Sequence, residues 1–299
     1  MQWKACAAKI LSAPPLKPRR MAWDITLLVL AAAVMHATWN AIAKSSTSKL
    51  LDITTMAVAG GILSALALPF LPFPEPEAWP WLAASLLLHF LYFIALVGAY
   101  RWGDLSQAYP LMRGVAPLLV ALFGVALFND ALMPNMWVGI CLISTGILAP
   151  FFIAKPGGSA PLRGIAFALA NSAIIAAYTL VDGWGTRLSP HPLSYCLWLF
   201  LLDPVPILLL ALARHRGYVW RYMQQRWVPC SIGGLLTIAG YGIVLWAMTR
   251  APIAAVAALR ETSVVFAALI GAVFLKEGLG AVRIGGALLV ACGIGALRW

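Results

Sequence analysis

Apolar residues in this chain come in blocks too long for a soluble helix and too continuous for a strand. Runs such as LLVLAAAVM after Asp24 and ILLLALA after Pro206 contain no polar interruption. Crossing a bilayer takes about 20 apolar residues per helix, whereas strands of a membrane barrel alternate apolar and polar over about ten residues. The pattern therefore predicts helices. Breaking it at charged, Pro and Gly clusters predicts ten spans: about residues 23–44, 51–70, 80–101, 105–128 and 134–153, then about 163–182, 192–213, 228–249, 252–275 and 281–298. Most connections are short, so neighbouring spans should run antiparallel. The stretch KPGGSAPLR at 155–163 reads as a hinge, separating a first unit over 23–154 from a second over 163–299, with 155–162 as the linker. Residues 1–22 read as a basic, disordered tail broken by Pro14, Pro15 and Pro18, or as an upstream start before Met21. A signal peptide cleaved after Ala31-Ala32-Ala33 fits less well, because Asp24 abuts the apolar run.

An internal repeat organises these spans. AYPLMRGVAPLLVALFGVALFND (108–130) aligns without gaps to AVAALRETSVVFAALIGAVFLKE (255–277) at a shift of 147 (260 − 113 = 147). Arg113 falls on Arg260, Gly124 on Gly271, and both segments end on an acid, Asp130 or Glu277. Ala and Leu matches are expected by chance in so apolar a chain; an arginine in register is not. Five spans per repeat is odd, so the second copy lies inverted in the membrane, an arrangement that puts a site near the midplane between halves.

Composition agrees with this reading. Of 299 residues, 62% are hydrophobic and 10% charged, against about 25% charged in soluble domains. The formal charge of +11 does not point to nucleic acid, because the basic residues lie between apolar runs and no soluble domain remains to carry a basic face. The five cysteines are scattered without a C-x-x-C or Cys/His spacing, so neither metal nor disulfide is expected, and no cofactor motif is found. There is no H-E-x-x-H, P-loop, G-x-S-x-G or dinucleotide fingerprint.

With ten spans, two fused five-helix halves and the acidic close of the fourth and ninth spans (Phe274-Leu275-Lys276-Glu277 in the second), the chain resembles the EamA-type branch of the drug/metabolite transporter superfamily over about residues 23–298. That resemblance implies an all-α, multi-pass protein of the inner or plasma membrane, exporting small organic metabolites, often amino-acid-like, through a cavity between the halves. A flippase for a lipid-linked head group and an embedded membrane enzyme are the alternatives.

Intramembrane ions are candidates for function, since each costs at least about 2.5 kcal/mol to bury. Arg113 and Arg260 occupy equivalent positions and could hold a carboxylate or phosphate through their planar forks; a structural ion pair is the bland alternative. Glu261 follows Arg260 directly, and since adjacent helical residues point about 100° apart the two need not pair. Glu261, Asp182 and Asp203 are coupling candidates, Asp203 because Pro204 and Pro206 disrupt the helix after it. His36, Asn40 and Lys44 recur every four residues, with Trp39 beside them, and Asn171, Tyr178 and Asp182 form a second stripe. These stripes open corresponding halves and fit facing walls of one cavity, although lone polar residues in membrane helices are more often helix–helix glue. Tyr109, Tyr241 and Trp246 are weaker lining candidates, as are His89 and Tyr92. The pairs Gly60-Gly61, Gly233-Gly234 and Gly285-Gly286 read as close-packing devices, with a homodimer contact as their other possible use. Lys and Arg concentrate after spans one, three, five, seven and nine, which places both ends outside by the positive-inside rule; the basic tail and the resemblance place them inside. Orientation stays open at this level.

Overall fold

The structure, a computed structural model, describes residues 21–44, 48–102, 105–153, 162–274 and 280–299. Most of the expected tail, nearly all of the linker, and Lys276 with Glu277 lie outside them. Among the described residues the secondary structure is helical, without strands. The helices are α1 Trp23–Lys44, α2 Lys49–Ala67, α3 Trp79–Trp102, α4 Leu105–Phe128, α5 Pro134–Ile153, α6 Leu162–Arg187, α7 Pro192–Leu202, α8 Pro204–His215, α9 Tyr218–Met248, α10 Ile253–Glu261, α11 Ser263–Phe274 and α12 Ala281–Ala296. Among the described residues nine stretches are long and apolar enough to cross a membrane, with α7–α8 forming one (Pro192–His215) and α10 plus part of α11 another (Ile253–Ile270). The shorter apolar α12 is the tenth. The fold is therefore two five-helix repeats, the second inverted.

Local chemistry explains the boundaries. Pro134, Pro192 and Pro204 each open a helix, where a missing N–H costs nothing. Asp203 joins α7 to α8 with helical dihedrals (φ −58, ψ −32), and its N–H still reaches Leu199 O at 2.9 Å. The two prolines therefore bend this span without unwinding it. In contrast, α10 ends at Glu261: Thr262 N–H and Oγ1 both return to Leu259 O, at 3.2 and 2.7 Å, before α11 begins at Ser263.

Packing follows a pseudo-two-fold. Span three (α3) lies on span six (α6) as span eight (α9) lies on span one (α1), and α4 lies on α6 as α11 lies on α1. Helices α5 and α12 pack on each other across the axis. That last contact needs bare backbone: a Cβ on Gly146 would stand 2.5 Å from Gly286 O, and one on Gly286 2.5 Å from Gly146 O. Gly234 similarly meets Met56 O at 2.6 Å, whereas Gly285 faces open space and is not a packing device here. Gly146→Val should separate α5 from α12 and lower the melting temperature in detergent sharply, while Gly285→Val should leave it within a degree or two; equal melts would remove the close-contact account. Leu27, Leu66, Val97, Leu122, Val273 and Leu288 are exposed on the outside, where acyl chains solvate them.

Candidate functional site

Spans alternate in direction, so the bundle has two faces. One carries the connections after odd-numbered spans; the other, here the end face, carries both termini of the helical region. A cleft of about 320 Å³ of empty space, open volume included, is lined by His36, Trp39, Asn40, Tyr92, Leu96, Tyr109, Met112, Arg113, Asn171 and Ile175. These residues come from the second half of α1 and α3, the first half of α4 and the first half and middle of α6, so the cleft sits in the odd-loop half. Six predicted site residues thus meet in one place: His36, Trp39 and Asn40 from one repeat's stripe, Tyr109 and Arg113 from α4, and Asn171 from the other stripe.

The floor is ionic. Arg113 and Arg260 are 6% and 5% exposed, and Glu261 is 1% exposed between them. Arg113 Nε stands 2.7 Å from Glu261 Oε2, a contact of charges in which the N–H does not point along the line to the oxygen. Arg260 donates to Glu261 Oε1 from Nη2 at 3.0 Å and from Nε at 3.3 Å. The sequence spacing left Arg260 and Glu261 free not to pair; in the structure they do, the long guanidinium side chain reaching round the last turn of α10 to the neighbouring carboxylate. Arg260 also donates to Thr179 Oγ1 at 3.4 Å and lies 5.9 Å from the Tyr178 ring centroid. Two guanidiniums share one carboxylate, leaving one net positive charge in a cluster that meets the cleft through Arg113.

His36 ties this floor to the wall. Arg113 Nη2 lies 3.1 Å from His36 Nε2, and Trp39 Nε1–H points to His36 Nδ1 at 3.3 Å. A neutral imidazole offers one acceptor nitrogen, not two. One of these donors is therefore surplus and available to a guest. Asn40 Nδ2 donates to His36 O at 2.8 Å.

Other predicted residues lie apart from the cleft lining. Asp182 is fully buried and accepts from Tyr195 OH at 3.0 Å and from Tyr241 OH at 2.5 Å. Tyr178, one turn before it on α6, has its ring 4.4 Å from that of His89, which itself contacts Ser85. Asp203 is placed at the α7–α8 joint, away from the cleft. Trp246 stacks under Arg250 at 4.7 Å. One buried acid was not singled out from the sequence. Asp52 accepts from Tyr222 OH at 2.8 Å and from Arg226 Nη2 at 3.0 Å, with Cys230 Sγ 3.6 Å away. A lone Asp in the first turn of α2 carries no local signal, since its partners lie about 170 residues on.

The end face is shut. Arg187, closing α6, donates from Nε to Met248 O at 2.8 Å and from Nη2 to Ala251 O at 3.2 Å and Asp130 Oδ1 at 3.5 Å. Asp130 Oδ2 receives Ala254 N–H at 3.5 Å. Trp184 and Phe128 stack beneath, ring centroids 5.4 Å apart. The ends of α4, α6 and α9 and the start of α10 are thereby tied together. Burial pushes the Asp130 carboxyl above its ordinary range, outweighing the attraction of Arg187.

A family model described as the EamA-like transporter family matches residues 24–151 and 162–299, nearly the whole chain and once per repeat. The chain belongs to the EamA-like transporter family. It is a multi-pass protein of the cell membrane and a transporter of the drug/metabolite type. No curated protein matches it. A solved structure titled only as the crystal structure of a protein superposes with a TM-score of 0.70 at 20% identity, covering 91% of this chain and 97% of its own. That likeness establishes the fold alone. The EamA-like chain thus has a cleft in its odd-loop half, a closed end face and, behind Arg113 on the cleft wall, a cluster of two arginines and one glutamate.

Proposed function

We propose that this protein is a secondary transporter exporting a small organic metabolite that bears a carboxylate, by alternating access between the two faces. The observation that carries the reading is the net positive charge of the Arg113–Glu261–Arg260 cluster at the cleft floor. Arg113 keeps guanidinium donors not spent on His36, and a planar fork suits a carboxylate. The carboxylate would dock on Arg113, with Arg260 and Tyr178 behind it and Trp39 or His36 supplying a further polar contact. Switching would break the end-face ties and close the odd-loop half around the emptied cleft, as expected of inverted repeats rocking about a midplane site.

The test is counterflow in proteoliposomes with a panel of amino acids and organic acids, with and without a pH gradient. Arg113→Ala should reduce counterflow of every carboxylate at least about tenfold, the loss expected for one charge-assisted hydrogen bond. Full transport by that variant would end the anion-site reading. A lipid-linked cargo would leave the soluble panel unmoved, and an enzyme would return a covalently altered compound by mass spectrometry.

A further inference from the structure

Asn171 contradicts the usual accounting of buried polar groups. Its side chain is fully buried and lines the cleft. The Nδ2 group donates to a thioether, Met112 Sδ at 3.0 Å, which is a weak acceptor. Its Oδ1 has no hydrogen-bond partner at all. Turning the amide over would set Oδ1 against the sulfur and orphan the NH₂ instead, so no orientation of this side chain satisfies it within the protein. A buried amide oxygen left unpaired costs roughly 1–3 kcal/mol. A donor arriving with the cargo would recover that.

The surroundings specify the donor. Asn40, from α1, spends its Nδ2 on His36 O, which leaves a second amide oxygen on the cleft wall as an acceptor. Tyr92 and Tyr109 add aromatic rings to the same lining, a surface that attracts cations through its quadrupole. Met112, the partner of Asn171, precedes Arg113 in the chain, so the unpaired oxygen lies next to the turn of α4 that carries the anion-binding guanidinium. A cleft this small therefore offers a guanidinium beside amide acceptors and π-faces.

We propose that Asn171 is a specificity-determining residue that accepts a hydrogen bond from an ammonium group of the cargo, so that the protein selects zwitterions over simple carboxylates. The proposal rests on the anion-site reading above. Arg113 holds the carboxylate, and Asn171 Oδ1, with Asn40 beside it, receives the N–H of the same small molecule.

Matched pairs test it in the reconstituted full chain: leucine against 4-methylpentanoate, phenylalanine against 3-phenylpropanoate, aspartate against succinate. The wild type should bind the amino member of at least one pair about tenfold more tightly or better, as a hydrogen bond to a charged donor predicts. Asn171→Leu should bring that ratio close to one by weakening the amino acid alone, and Asn171→Asp, which keeps an acceptor, should preserve it. Asn171→Leu should also melt no lower than wild type without cargo, because it removes an orphaned oxygen. A wild type that treats all pairs alike, or an Asn171→Leu protein that keeps the ratio, overturns the proposal while leaving the anion site standing. Failure of both members of every pair to bind, or binding unaffected by Arg113→Ala, overturns the anion reading itself.

Discussion

Glu261→Gln should cost this protein both its stability and its transport. The carboxylate is 1% exposed and is the shared counter-ion of Arg113 and Arg260. Its removal strands two guanidiniums that are only 6% and 5% exposed. Removing one partner of a buried ion pair typically costs about 3–5 kcal/mol, because the remaining charge is left uncompensated. The expected result is a large drop in melting temperature and little monodisperse protein after extraction. The double variant Arg113→Gln with Glu261→Gln restores one guanidinium's worth of balance and removes the mismatched contact. It should recover part of the lost stability, since only Arg260, rather than both guanidiniums, is then left without its carboxylate. It should not recover counterflow, because the fork that receives the carboxylate is gone. Fluorescence-detected size exclusion with a thermal ramp, run beside the proteoliposome assay, separates the two effects. A Glu261→Gln protein that melts like the wild type would falsify the shared-counter-ion account.

Arg187→Ala should unlatch the end face. That side chain makes contacts to Met248 O and Ala251 O at the end of α9 and to Asp130 after α4, two separate stretches of chain. Losing about 3 kcal/mol of such bonding shifts a two-state equilibrium roughly a hundredfold toward the open form. Cysteine introduced at Tyr109, on the cleft wall, in a background without Cys6, Cys141 and Cys292, reports this. A membrane-impermeant maleimide should reach it from the odd-loop side in the otherwise unaltered protein, and from both sides with Arg187→Ala. Asp130→Asn should have a much smaller effect, because burial already opposes the charged form of Asp130 more than Arg187 supports it. The sign follows from linkage: a carboxyl raised in the closed state binds more protons there than when exposed. Its contribution to closure is complete below the ordinary carboxylate range and is lost as pH rises through the raised value. End-face labelling should therefore climb with pH across that window, and Asp130→Asn should flatten the climb. Labelling confined to the odd-loop side in Arg187→Ala would show that the latch lies elsewhere.

What the sequence determined by itself was the part of the problem that is local and periodic. Continuous apolar runs set the spans, because a lipid-exposed backbone must satisfy itself within each helix. The gapless register of Arg113 with Arg260 exposed the inverted repeat, and the four-residue spacing of His36 and Asn40 put them on one wall. Tertiary structure decided how charges are shared. The position after Arg113 is Gly114, whose missing side chain admits Leu148 (a Cβ there would stand 2.5 Å from its Cγ), while the position after Arg260 is Glu261. One carboxylate thus serves both arginines, a fact that needs the packing of α4 on α10 to become visible. The same holds for Asp182 between Tyr195 and Tyr241, for Asp52 with Arg226, and for Asn171, whose unpaired oxygen is defined only by everything packed around it. Hydropathy and spacing report where a residue sits along its own helix. Which group faces it across the bundle is set by helix crossing and side-chain volume, quantities that no single span encodes.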